Sequence, residues 1–271
     1  MVHSVMITAE QKAAFDADGA VVLRGVLDDR WIARGRDGIE RCLQATSESN
    51  DPDAYFKQLR VWEQDDDLAA LCRETALPMI ASALLGSDKV NLLYDQVFVK
   101  EAGEHAPTPW HNDQPYWPVS GTQILTVWLA FDHVTAENGA LEFVRGSHRD
   151  RARYRTFHTD ADGGVSQLYD AEDADDYEPL PDFDAMRSDL DLISWEMESG
   201  DAIAFHAFTV HHAPGNSRLD RRRRAYAVRM TGDDVRYQDA DVWNRFIKNP
   251  DLKTGDALDS AQYPVLLGGV P

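Results

Sequence analysis

Cysteine is scarce in this 271-residue chain: Cys42 and Cys72 are the only two, and neither belongs to a CxxC pair. Two cysteines cannot build a disulfide framework, and both fall in stretches of helical pattern, so buried, unreactive thiols are expected. Positive charge is short as well. Lysine and arginine number 27 against 47 acidic residues, a formal net charge of −20. A field of that sign repels nucleic acid and anionic membrane surfaces, so neither is an expected partner, despite the basic run Arg221-Arg222-Arg223-Arg224. Long hydrophobic runs are missing: nothing approaches the roughly 20 apolar residues that a membrane helix needs. The first residues, Met-Val-His-Ser-Val-Met-Ile-Thr, have no basic region, apolar run or small-residue cleavage site, which makes the cytoplasm the expected location. There is no GxSxG, no Walker-type phosphate loop, no internal repeat and no low-complexity tract.

The hydrophobic share of 43% supplies a sizeable core. One domain spanning 1–271 is expected, with a helical N-terminal part over about 8–88 and a β core over about 89–231. Thr8-Ala9-Glu10-Gln11 fits a capping box, and Gly19 fits the end of the helix that follows. Ala20 to Leu23 reads as a short strand. Asp28 or Asp29 opens a second helix to about Thr46, and shorter helices are expected near 67–73 and 77–85, with Gly86 as a C-cap. From about Lys89 the pattern turns to β-formers. Strands are expected at 90–99, 124–131, 141–144, 192–196, 202–205 and 224–230, separated by turn signals such as Asn138-Gly139, Gly146-Ser147 and Pro214-Gly215-Asn216. Many short strands with helices outside them imply a jelly roll. An acidic insertion over about 160–191 holds 12 of the 47 acidic residues and one basic residue, Arg187. It reads as a pocket lid or a solvated surface loop.

The sharpest chemical feature is Trp110-His111-Asn112-Asp113. In a strand, residues i and i+2 share a face, so His111 and Asp113 would present an imidazole and a carboxylate to one point. A second, distant histidine would complete the two-His, one-carboxylate set of non-haem iron oxygenases. Three candidates follow the strand at 202–205: His206, His211 and His212. About a dozen residues later the run 221–224 offers a guanidinium able to clamp a dicarboxylate through paired hydrogen bonds. Tyr116, Trp117, Phe98 and Phe143 are candidates for lining a pocket beside the metal, or for ordinary core packing.

Four separated motifs resemble the phytanoyl-CoA dioxygenase family of Fe(II)/2-oxoglutarate oxygenases. They are Trp-His-Asn-Asp-Gln-Pro-Tyr at 110–116, Val-Trp-Leu-Ala-Phe-Asp at 127–132, Glu-Asn-Gly-Ala-Leu-Glu-Phe-Val-Arg-Gly-Ser-His at 137–148, and the block from His211 to Ala225. The resemblance runs from about Thr8 to Arg229. It implies a mainly β fold with peripheral helices, the double-stranded β-helix or cupin-like jelly roll.

It also implies the cofactors: Fe(II), with 2-oxoglutarate and O2 as cosubstrates. The matching metal ligands are His111, Asp113 and His211, with His212-Ala213 standing where relatives often carry Gly-Ser. For 2-oxoglutarate the matching positions are Gln96, Trp128 and Arg223, with Arg222 and Arg224 one residue away on either side. Gln58, in a stretch expected to be helical, resembles a cosubstrate-contacting position. An aspartate at the carboxylate position differs from the halogenases of this class, which carry a small residue there. The implied reaction is hydroxylation of a small-molecule C–H with release of succinate and CO2. Desaturation or ring closure with the same cofactors, and a non-catalytic jelly-roll binding protein, are the other readings.

Overall fold

The computed structural model describes residues 6–46, 56–159, 165–167, 177–239 and 247–268. Helix α1 (Ala9–Asp18) begins at Thr8, whose side chain accepts from the Gln11 backbone while Gln11 answers to the Thr8 amide. It stops at Gly19, which takes the left-handed conformation. Strand β1 (Ala20–Leu23) and helix α2 (Asp29–Thr46) follow. A short strand β2 (Phe56–Leu59) precedes helices α3 (Asp66–Glu74) and α4 (Leu77–Leu85). Gly86 closes α4 in the left-handed region.

The β region contains β3 (Val90–Lys100), β4 (Thr108–His111), β5 (Val119–Ser120), β6 (Ile124–Ala130) and β7 (Glu142–Val144). Then come β8 (Phe157–Thr159), β9 (Val165–Gln167), β10 (Leu192–Ser194), β11 (Ala202–His206) and β12 (His211–Ala213). Strands β13 (Arg223–Thr231), β14 (Arg236–Tyr237) and β15 (Val265–Leu267) complete the set. The large antiparallel sheet runs β1-β11-β6-β13-β3-β15, with β2 also on β3; the small one runs β10-β7-β12-β4. Two facing sheets with helices outside make the double-stranded β-helix, without a closed barrel.

Side-chain alternation divides the large sheet into two faces. Leu125, Val127, Leu129, Ala204, Tyr226 and Val228 point outward and form one core with Leu68, Leu71, Leu77 and Ile80 of α3 and α4. Trp128, Ala130, Phe205, Ala225 and Ala227 point inward and share a second core with Phe143, Ile193 and Ala213 of the small sheet. Every residue of β6 is therefore buried, which explains its uninterrupted apolar sequence. Both cysteines are buried, as expected; burial pushes the Cys42 thiol up to about 11.

One expectation needs correction. The stretch around Gln58 is not helical. It forms the edge strand β2, with Gln58 opposite Val97 of β3, a long-range pairing that local propensity does not reveal. The acidic segment is only partly described: 160–164 and 168–176 of the expected lid lie outside the described residues. Its last part packs on the small sheet, with the Phe183 ring 5.5 Å from Trp110 and Trp110 Nε1 donating to Asp184 at 2.9 Å. No residue of 177–191 lines the cavity described below.

Candidate active site

His111 and His211 are cross-strand neighbours. Strand β12 lies between β4 and β7, and places His211 opposite both His111 and Phe143. The two imidazoles face each other with ring centres 4.2 Å apart. His111 Nδ1 is 2.8 Å from the Pro109 carbonyl and His211 Nδ1 is 3.0 Å from that of Thr209. A carbonyl only accepts, so each Nδ1 carries a proton and each Nε2 is left to face the metal site, the orientation a metal requires. Burial, then the neighbouring His111, pushes His211 down to about 3, which keeps it neutral.

Asp113 reaches the pair by a route that differs from the expected one. Strand β4 ends at His111, and Asp113 has helical dihedrals at the start of the short turn Gln114–Tyr116, which has Pro115 at its second position. Its amide and that of Gln114 both donate to the Ala207 carbonyl. The carboxylate is thus swung toward the histidines by a turn, since proline disfavours strand continuation. Asp113 Oδ1 lies 3.4 Å from His111 Nε2 and 4.0 Å from His211 Nε2. Thr126 Oγ1 donates to Oδ2 at 3.1 Å. Burial opposes ionisation, but His111, His211 and Arg229 outweigh it and hold Asp113 well below the usual carboxylate range. One donor atom from each of the three residues lies within 4.8 Å of the others.

The rival histidines are engaged elsewhere. His212 points to the opposite face of β12, where Nε2 meets Glu142 at 2.5 Å and the ring lies tilted against Trp110, with ring centres 3.9 Å apart. His206 accepts the Phe208 amide at Nδ1, 3.2 Å away. Phe143 does not line the pocket; it stacks behind His211 with ring centres 5.7 Å apart.

The three donors stand in a cavity of about 720 Å³ that also takes in Gln58, Gln96, Phe98, Tyr116, Trp117, Trp128 and Arg223. Of the four consecutive arginines, Arg223 is the one that enters it. It is 2% exposed, its Nε donates to the Asn138 carbonyl at 3.4 Å, and its Cζ lies 5.3 Å from the Trp128 ring centre. The others are held outside: Arg221 on Asp220, Arg222 on Glu40 and Glu101, Arg224 on Asp132 and Glu40.

Three residues about the cavity escaped sequence reasoning. Lys100, opposite Arg223 in register, is fully buried and donates to the carbonyls of Ala106 and Pro214. Burial, then the charge of Arg223, pushes it down to about 6. Tyr94 and Arg229 both line the pocket. Arg229 was accessible to reading: it falls on the same alternation as Arg223, Ala225 and Ala227 along β13.

This fold with this donor set defines a mononuclear non-haem iron oxygenase of the 2-oxoglutarate-dependent class. The chain belongs to the phytanoyl-CoA dioxygenase (PhyH) family, whose profile matches residues 15–225. Similar proteins include a probable phytanoyl-CoA dioxygenase of Caenorhabditis elegans, 23% identical over 256 residues, covering 85% of this chain and 77% of the relative. An L-proline trans-4-hydroxylase of Streptomyces griseoviridis is 26% identical over 223 residues, covering 79% and 82%. Among solved structures, the non-haem alpha-ketoglutarate-dependent carbocyclase SnoK from nogalamycin biosynthesis has a TM-score of 0.75 at 22% identity, over 95% of this chain and 96% of that one. The epimerase SnoN, solved with Fe3+, alpha-ketoglutarate and nogalamycin RO, has a TM-score of 0.70 at 22% identity, over 95% and 97%. Iron and 2-oxoglutarate are the cofactors of the class, and this site fits both: two imidazoles and a carboxylate converge, and a buried guanidinium shares their cavity. No single helix among the described residues is long and apolar enough to cross a membrane.

Proposed function

We propose that this oxygenase hydroxylates a C–H bond of a small organic molecule, with His111, Asp113 and His211 holding the iron. The observation that carries the reading is the convergence of these three donors in the cavity that Arg223 enters. Arg223 holds the distal carboxylate of 2-oxoglutarate, and Gln96 and Trp128, on the strands flanking Ala227, line the slot between that end and the metal. When bound, iron and 2-oxoglutarate supply the activation of O2, with decarboxylation to succinate and CO2.

The chain's own residues provide the rest. The carbonyls of Pro109 and Thr209 orient the imidazoles, and Thr126 holds the carboxylate oxygen that faces away from His111. Phe98, Tyr116 and Trp117 surround the space beside the donors and keep it largely apolar. The whole chain serves as one oxygenase domain: β15, near its end, pairs with β3, and α1 packs against the large sheet.

The test is anaerobic addition of Fe(II) and 2-oxoglutarate to the metal-free protein. A visible metal-to-ligand charge-transfer band that requires both additions supports the assignment. Its absence, together with a lack of succinate release under air, would sink it. Substrate-stimulated succinate release across a metabolite panel, followed by mass analysis of the product, separates a gain of one oxygen atom from desaturation or ring closure.

A further inference from the structure

The cavity contains a second buried guanidinium, for which the reading above has no task. Arg229 is 5% exposed and lies six residues beyond Arg223 on the same face of β13. At about 3.3 Å per residue their Cα atoms are roughly 20 Å apart, far longer than a five-carbon diacid. The Arg229 Cζ lies 4.7 Å from the ring centre of Tyr94 and 5.6 Å from that of Phe98. Nη1 donates to the Ala227 carbonyl at 3.5 Å, and Nε is buried with no hydrogen-bond partner. The metal-site carboxylate that feels its charge is Asp113, which faces the two histidines.

Charge balance sharpens the point. Ferrous iron brings two positive charges and Arg223 one. Asp113 brings one negative charge and 2-oxoglutarate two. That set is neutral once assembled. Of the other charged residues lining the cavity, Arg60 pairs with Glu63 and Lys57 is exposed, so Arg229 is a buried cation beyond the set, and its charge also acts on buried Asp95. A buried cation gains from an anion that reaches it, because few other groups compensate its lost hydration.

We propose that Arg229 anchors a substrate-anion subsite and that the substrate is an organic acid. Its carboxylate pairs with Arg229, while its carbon skeleton lies along Phe98 and Tyr116 toward the metal ligands. Contacts with Tyr94 and Phe98 hold the guanidinium in place, and the part of it that lines the cavity is available to a carboxylate. Arg229 would thus set specificity, and this inference rests on the iron and 2-oxoglutarate reading of the cavity.

The experiment measures binding, not turnover. Protein loaded with Ni(II) and 2-oxoglutarate is titrated by calorimetry with phenylacetate, decanoate and L-proline, and with the neutral amide of each. At least one acid is expected to bind about tenfold or more tighter than its amide. Arg229→Gln is expected to weaken that acid by about 30-fold or more and to erase the preference, while Arg229→Lys recovers part of it. Thermal melting of both variants checks that they fold. Equal binding of acids and amides, or no binding by any acid, overturns the proposal. Loss of 2-oxoglutarate affinity in Arg229→Gln with acid binding intact would instead assign the guanidinium to the cosubstrate. A wild-type protein that binds neither Ni(II) nor 2-oxoglutarate would fail the cofactor reading itself, and that outcome is seen before any acid is added.

Discussion

Arg223 lies directly against Gly139. A Cβ built on Gly139 falls 3.1 Å from Arg223 Nη2 and 3.0 Å from the Pro214 carbonyl oxygen, and the glycine has φ +94°. The missing side chain therefore does two things: it permits the turn after Asn138, and it leaves room for the guanidinium. Gly139→Ala is expected to destabilise the fold by about 1–3 kcal/mol, as a strained backbone position does. It should also weaken 2-oxoglutarate binding while metal content stays at the wild-type level. Denaturant melts and 2-oxoglutarate titrations measure the two effects. Unchanged values in both would show that the turn relaxes freely.

Strand alternation separates the adjacent histidines. His211→Ala is expected to lose bound Fe(II) and 2-oxoglutarate turnover, since it removes one of three protein ligands. His212→Ala should keep the metal and lose the contacts with Glu142 and Trp110 on the other face. Elemental analysis of the purified variants decides between them, and the reverse pattern would reassign the third ligand.

The arginine run offers a matched series. Arg223→Lys is expected to raise the 2-oxoglutarate KM, because an ammonium cannot reproduce a two-point contact with a carboxylate. A loss of about 2–5 kcal/mol corresponds to roughly 30-fold to several-thousand-fold. Arg221→Lys should be nearly silent, since its pair with Asp220 is exposed at the surface. Arg224→Ala should lower stability through Asp132, with little change in the 2-oxoglutarate KM. An unaffected KM in Arg223→Lys would remove the clamp from this position.

His206 introduces a pH dependence away from the metal ligands. Burial, then the charge of His148, pushes its imidazole from 6.5 down to about 4. Below about pH 6.5 the unfolded chain binds a proton that the folded imidazole refuses until about pH 4. Its contribution is therefore in place above that window and is lost as the pH falls through it. His206→Asn keeps an acceptor for the Phe208 amide but does not titrate. Between pH 6.5 and 4 the wild type should lose more stability than this variant, by on the order of 3 kcal/mol. Parallel stability profiles for the two proteins would contradict this.

Much of the local structure was legible because its causes are local. The Thr8 capping box, the glycines at 19 and 86 and the short β-forming runs of β11 and β13 all act within a few residues. The spacing of His111 and Asp113 was equally plain, although the expected strand geometry was not: a turn aims Asp113, and proline at 115 helps to end the strand. Gln58 was misread because an edge strand is made by its partner, here β3, and not by its own residues.

The sequence by itself determined which chemical groups were available: two imidazoles and a carboxylate for a metal, a run of guanidiniums for a dicarboxylate, and too little basic charge for a nucleic-acid surface. The tertiary structure decided which of them meet. Pairing of β12 between β4 and β7 turns His211 inward and His212 outward, since neighbouring residues of a strand face opposite ways. Pairing of β13 with β3 and β6 does the same for Arg223 and Arg224, and it brings Arg229 into the same cavity. Register is a relation between segments a hundred residues or more apart in sequence, as His111↔His211 and Arg223↔Lys100 are, so no local pattern in either segment contains it.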